Sequence, residues 1–235
     1  MKRYLIVNAD DFGQSPGVNR GIIEAHERGI VTSASLMVRW PAAAAAADYG
    51  RQHPALSLGL HVDLCEWAYR SQGWVPVYEV VSLKDRAALA EEVNRQVDAF
   101  RRLVGREPTH IDSHQHVHRA EPVRSVVGEA ARRLGVPLRD FTPGVRYCGD
   151  FYGQSGNAYP YPEGISVERL IALLTALPAG VTELGCHPGD GCDVDSMYGD
   201  ERAREVKTLC DPQVRAVLVA EGIELRSFRG IAGVP

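Results

Sequence analysis

The 235-residue sequence predicts an α/β protein built on one parallel sheet, either a closed barrel or a doubly wound open sheet. Three observations carry that reading. Short apolar, β-branched runs alternate with helical patterns along the chain. The connections are short, with no linker, repeat or low-complexity tract. Several of the apolar runs end abruptly in Asp or His, and parallel α/β proteins build their sites at the C-terminal ends of strands.

The elements follow in order. A strand near residues 3–9 leads to a helix over about 16–28, with Ser15 at its N-cap, Pro16 at its first position and Gly29 just past its end. Thr32 to Val38 reads as a second strand, then an alanine-rich helix runs to about Gln52. Leu56 to Asp63 is a third strand, and residues 65–82, with Trp67, Tyr69, Trp74 and Tyr78, read as irregular. Leu89, Val93, Val97, Phe100 and Val104 recur at spacings of three and four, so 83–104 is a long amphipathic helix. A fourth strand spans Pro108 to Asp112, followed by a helix near 121–134. A short strand is expected near 136–139, a Gly-, Tyr- and Pro-rich loop over 142–164, and a helix near 166–176. Gly180 to Cys186 is a clear strand. Helices near 200–209 and 211–221, the second started by Asp211-Pro212, lead to a last strand at Ile223 to Ser227.

Composition excludes several classes. Hydrophobic residues make up 45% and charged residues 24%, with a net charge of −4 and no basic stripe, so nucleic acid is not an expected partner. The longest apolar stretch, Pro41 to Ala47, is far too short to span a bilayer, and the N-terminal residues lack a signal-peptide pattern, which gives a cytoplasmic expectation. The five cysteines are odd in number and form no CxxC pair, so a disulfide framework is not expected.

Chemistry is concentrated at four strand ends: Asp10-Asp11, His61-Val62-Asp63, Asp112-Ser113-His114-Gln115-His116, and His187-Pro188-Gly189-Asp190. A carboxylate after a strand is often only a turn residue. Two adjacent, partly buried carboxylates, however, require a cation or a shared proton. One carboxylate and two imidazoles from three strands fit a divalent metal with an open position. In an extended segment 112, 114 and 116 share a face, so at most two histidines of the tract reach one ion. His110 and His118 read as structural or surface residues, and the Arg–Glu pairs near 201–205 as ordinary helix-face charges. One aspartate of the pair would bind the ion and the other would serve water as a base, while a histidine from another strand protonates a leaving group. The residues alone do not choose between Asp10 and Asp11, or between His114 and His116.

The segments Asn8-Ala9-Asp10-Asp11-Phe12-Gly13, Leu58-Gly59-Leu60-His61, Thr109-His110-Ile111-Asp112-Ser113-His114-Gln115-His116-Val117-His118 and Glu183-Leu184-Gly185-Cys186-His187-Pro188-Gly189 resemble the YdjC-like carbohydrate deacetylases. That family includes chitooligosaccharide deacetylases, and the likeness covers nearly the whole chain. The resemblance implies a single catalytic domain over 1–235, a distorted (β/α) barrel of the polysaccharide-deacetylase kind. It implies one divalent ion, Mg²⁺ or Zn²⁺, removal of acetyl from an acetamido sugar, and a homodimer. Carried over, Asp11, His61 and His114 are the metal ligands, Asp10 the base and His187 the acid. Asp112 and His116 stand behind the ligands. Independently of the family, Tyr152 and Trp74 lie in aromatic-rich loops expected at the catalytic face, where their rings either face the sugar or pack the loops down. Asp63 is a candidate sugar contact in Val62-Asp63-Leu64-Cys65, where the family usually has a Leu-Thr pair. A phosphoesterase or O-acetyl esterase on the same scaffold, or a silent carbohydrate binder, are the competing readings.

Overall fold

The structure is a computed structural model that describes residues 2–71, 73–190, 193 and 196–231. Cys192 lies outside the described residues. Strand β1 (Arg3–Phe12) is followed by helix α1 (Pro16–Glu27), whose cap is Ser15, with its Oγ accepting from the Val18 N–H at 3.0 Å. Then come β2 (Ser33–Leu36), α2 (Ala43–Gln52) and β3 (Ser57–Val62). The segment read as irregular forms an antiparallel hairpin of β4 (Cys65–Arg70) and β5 (Gly73–Glu79). Pro76 inside the run and a register shift between Glu66 and Trp67 break the alternation that would have marked it.

Helix α3 (Arg86–Val104) starts later than expected because Asp85 caps it, taking the N–H groups of Ala87 and Ala88. The stripe Leu89, Val93, Val97, Phe100 and Val104 is buried in the core as its spacing required. Strand β6 (Ile111–Ser113) runs into a 3₁₀ turn over His114–Arg119, and α4 (Val123–Leu134) follows Pro122. The expected strand near 136–139 is only a bridge from Leu138 to Ile111. The expected loop contains β7 (Val145–Cys148) and a small ladder of β8 (Gln154–Ser155) and β9 (Tyr159–Pro160). The chain continues through α5 (Val167–Thr175), β10 (Gly180–Cys186), α6 (Asp200–Leu209), α7 (Pro212–Ala220) and β11 (Ile223–Leu225).

Seven strands form one parallel sheet in the order β6-β3-β2-β1-β10-β7, with β11 also on β1. Strand β1 pairs with β10 along Arg3–Ala9; on its other side it takes β11 at Arg3–Leu5 and then β2 from Asn8 onward. The sheet curls until its edges approach. Tyr147 of β7 meets His116, beyond the end of β6, with hydroxyl and Nε2 3.3 Å apart. The result is a half-barrel with helices outside and one continuous core from Leu5 to Ile223. No described helix is long and apolar enough to cross a membrane.

Candidate active site

All four predicted strand ends gather at the C-terminal rim of the sheet. Register does much of this: His61 is paired with Asp112, and Ala9 with Cys186, so Asp10 emerges beside His187. Consecutive strand residues ordinarily point to opposite faces. Between Ala9 and Phe12 the pairing of β1 with β2 shifts register, and Asp11 takes a left-handed φ of 67°. This bulge turns both aspartates toward one site.

Asp11 is the hub of the first group. Its Oδ1 lies 3.3 Å from His61 Nε2 and 3.1 Å from His114 Nδ1, and its Oδ2 accepts from Arg202 Nη2 at 2.7 Å. Burial opposes ionisation of Asp11, but Arg202 and the two histidines hold its pKa well below the usual carboxylate range. On its far side His61 Nδ1 is 2.7 Å from Asp112 Oδ1, which orients the ring. Burial works against protonation of His61, yet Asp112 and Asp11 outweigh it and raise its pKa well above the histidine range. Asp112 also accepts from Ser35 Oγ at 2.6 Å and Arg139 Nη2 at 2.8 Å.

Asp10 joins this network through Arg139 and Asn8, both of which also bind Asp112. Arg139 grips it with both nitrogens, at 2.6 and 2.7 Å, and Asn8 Nδ2 adds a third bond at 3.0 Å. The same guanidinium holds Glu183 Oε1 through Nε at 2.8 Å. Despite burial, Arg139 keeps the Asp10 pKa below its ordinary value, so the group is a carboxylate at neutral pH. Glu183, with burial dominating, is pushed up to about 7.

His187 faces this pair, its Nε2 3.8 Å from Asp10 Oδ2. Burial pushes its pKa down to about 4, so the ring is neutral at pH 7. Its backbone N–H donates to Glu205, which also accepts from Tyr198. Tyr198 stacks on Tyr152, ring centroids 4.7 Å apart. Asp190 accepts from Arg20 Nε at 2.6 Å. The backbone of Gly189 packs so closely on α1 that a Cβ at Gly21 would lie 2.3 Å from it, which fixes the turn behind His187.

Burial raises Glu205 from 4.5 to about 8. A carboxyl with a raised folded pKa adds stability that is complete below 4.5 and lost as pH rises through 8. Melting temperature should therefore fall across that window, and Glu205→Gln should flatten the upper part of the fall. An unchanged slope in a pH series of melting curves would refute the assignment.

A cavity of about 770 Å³ opens over these groups, bordered by Glu66, Trp67, Trp74, Tyr152 and Tyr198. Trp74 and Tyr152 do line it, 50% and 38% exposed. Asp63 does not. It is fully buried, with Oδ2 accepting from Arg39 at 2.8 Å and Trp40 at 3.1 Å, and Oδ1 from Tyr78 at 2.7 Å. It secures the hairpin and is not a sugar contact. His116 also departs from expectation. The extended segment stops at Ser113, Gln115 and His116 take left-handed φ values of 48° and 53°, and His116 turns to Tyr147 instead of the ligand group. His110 stacks on Phe228 and His118 is wholly buried, both structural placements. Burial raises the Cys65 thiol to about 11 and the Cys186 thiol well above its ordinary value, which keeps both in the thiol form at neutral pH.

Sequence reading missed Arg139, Arg202, Glu183 and Glu205. The pairs near 201–205 are not solvent-facing; Arg202 and Glu205 are 2% and 0% exposed. A signal existed in α6, where positions 202, 205, 206 and 209 form one helical stripe with Val206 and Leu209.

Asp11, His61 and His114 each place a ligand atom within 4.8 Å of the others. Among the described residues His114 Nε2 is buried without a hydrogen-bond partner, and the carboxylates around His61 that raise its pKa would equally favour a cation. One carboxylate and two imidazoles suit a divalent ion. Asp10, His61 and Asp112 form a second such group, but Arg139 binds both of its carboxylates; His116, His118 and Asp140 form a third, in which Arg119 binds Asp140 at 2.7 Å.

The curled parallel sheet with an Asp–His centre at its C-terminal rim defines a half-barrel hydrolase. Within that class the chain belongs to the YdjC-like protein family, whose family model matches residues 4–220. A carbohydrate deacetylase of Geobacillus stearothermophilus is 36% identical, covering 97% of this chain and 98% of its own. A chitooligosaccharide deacetylase of Serratia marcescens is 32% identical, over 98% and 100%. Among solved structures, a protein of Enterococcus faecalis V583, provisionally assigned to cellobiose-phosphate cleavage, superposes with a TM-score of 0.77 at 26% identity, covering 98% and 99%. A family 4 carbohydrate esterase from Streptomyces lividans shares the fold, with a TM-score of 0.57 at 14% identity over 95% and 91%.

Proposed function

We propose that residues 1–235 form one catalytic domain that removes the acetyl group from an acetamido sugar or short oligosaccharide of the N-acetylglucosamine type. The observation that carries this reading is the division at the cavity floor. Asp10 is ionised and gripped by Arg139, beside the ligand group of Asp11, His61 and His114. The names of the two deacetylase relatives support the substrate class. Trp74 and Tyr152 offer ring faces for sugars.

Asp11, His61 and His114 would hold a divalent ion. Imidazole softness favours Zn²⁺, whereas Mg²⁺ prefers oxygen ligands. When bound, such an ion supplies Lewis acidity that polarises the acetyl carbonyl and lowers the pKa of water. Asp10 takes the proton of the attacking water as its oxygen bonds to the acetyl carbon. His187 delivers a proton to the nitrogen as the C–N bond breaks, leaving acetate and an amine. Its neutral resting state means that the proton arrives during turnover, from the Asp10 side. The family resemblance supports a homodimer, which light scattering checks.

Acetate release across acetylated mono- and oligosaccharides, with and without chelator, tests the reading. Turnover should stop with chelator and return with a divalent ion. Turnover of phosphate esters or O-acetyl groups alone would refute it, as would binding without turnover. His61→Ala or His114→Ala should lose most bound metal and about 100-fold or more in activity while staying folded. Full occupancy in both would overturn the ligand set. His187→Ala should cost about 10²–10⁴ on an acetamide and less than about tenfold on an activated ester, whose leaving group departs unprotonated. Equal losses would remove the acid role.

A further inference from the structure

Glu66 borders the cavity together with Asp11, His61 and His114, and the chemistry above leaves it unused. It is 8% exposed, and its carboxylate has no hydrogen bond or ion pair to any described residue. Among the described residues it belongs to no group of His, Cys, Asp and Glu close enough to share an ion. A carboxylate that lines a cavity takes its hydrogen bonds there from water or a ligand. Burial raises its pKa, opposed by the neighbouring His114.

Its position is built. The register of the hairpin shifts between Glu66 and Trp67, a bulge of the kind that re-aims side chains next to active sites. On one side the Gln115 amide clasps the Trp67 backbone, its Oε1 accepting from the N–H at 2.9 Å and its Nε2 donating to the carbonyl at 2.8 Å. Gln115 directly follows His114, so the clasp holds Glu66 beside the ligand group. On the other side Tyr78, the register partner of Glu66, is tied to buried Asp63.

We propose that Glu66 is a specificity-determining residue that accepts a hydrogen bond from the ring hydroxyl next to the acetamido group, so the site selects sugars in which that hydroxyl is free. The proposal rests on the deacetylase reading. With the acetyl carbonyl at the Asp11–His61–His114 group, the ring carbon bearing nitrogen follows it. The hydroxyl on the adjacent carbon is then the next donor outward, and Glu66 borders that group from the hairpin. A site built to bond a hydroxyl rejects the analogue that lacks it, because its own buried group is then unsatisfied.

The test compares di-N-acetylchitobiose with its 3-deoxy analogue in wild type, Glu66→Ala and Glu66→Gln. Wild type should lose about 10–100-fold in kcat/KM on the deoxy sugar, the scale of a hydrogen bond to a charged group. Glu66→Ala should lose a similar factor on the parent sugar but little more on the deoxy analogue, the non-additivity that marks a shared contact. Glu66→Gln, which preserves the shape, should fall between, and metal content should be unchanged in both variants. Losses that multiply independently, with wild type active, would overturn the hydroxyl contact and leave the deacetylase reading standing. A fall in metal content would make Glu66 a ligand and overturn the proposal as well. Absence of acetate from either sugar with wild type would overturn the deacetylase reading and this inference with it.

Discussion

Asp10→Asn should yield a folded, metal-retaining protein whose kcat for acetate release is lower by about 10²–10⁴. The substitution preserves size while removing the group that can take a proton and one of the two oxygens that Arg139 grips. Among the described residues Asp10 makes no hydrogen bond to Asp11, His61 or His114; it is joined to His61 through Arg139 and Asn8, which both also bind Asp112. Asp11→Asn should behave in the opposite way, weakening metal binding first. Elemental analysis beside steady-state kinetics separates the two. If Asp10→Asn lost the metal and Asp11→Asn kept it, the roles assigned to the bulged pair would be exchanged.

The largest effect on stability is expected at Arg139. Its guanidinium, 3% exposed, is the shared counter-charge for Asp10, Asp112 and Glu183. Arg139→Met would leave those carboxylates buried and mutually repelling, at a cost of about 3–5 kcal/mol. The sign of the pH dependence follows from Asp10 and Asp112, whose folded pKa values Arg139 lowers despite burial. A depressed carboxyl pKa adds stability above the unfolded value of 3.8 that is lost as pH falls through the folded value. The gap between wild type and variant should thus be widest near neutral pH and shrink in acid. Urea unfolding at several pH values would show it; a gap below about 1 kcal/mol, or one indifferent to pH, would mean the carboxylates find other partners.

The parts of this molecule that sequence exposes are those with a period or an abrupt ending. The stripe from Leu89 to Val104, the Ser15-Pro16 start of α1, and the four strand ends were all legible for that reason. What sequence hides is long-range pairing of polar groups. Arg139 sits after a bridge too short to register as a strand, and nothing near it announces three carboxylates from β1, β6 and β10. Asp63 looks like one more site carboxylate until Arg39, Trp40 and Tyr78 arrive from other segments to occupy it. His114 and His116 could not be told apart by strand alternation, since the strand ends before either residue and the turn sends them in different directions. Conversely, the bulge that lets Asp10 and Asp11 share a site has no sequence mark beyond the tolerance of Asp for left-handed φ.

The Gln115 clasp gives the hairpin a property that matters for transplantation. The wall carrying Trp67 and Trp74 is bolted to the turn that carries His114 by two bonds from a single side chain. Wall and turn therefore form one graftable unit. A hairpin exchanged alone between relatives should arrive unanchored, whereas moving it together with the residue at 115 should carry its substrate preference along. Chimeras of both designs, compared for oligosaccharide preference and metal retention, would distinguish a bolted wall from a freely interchangeable one.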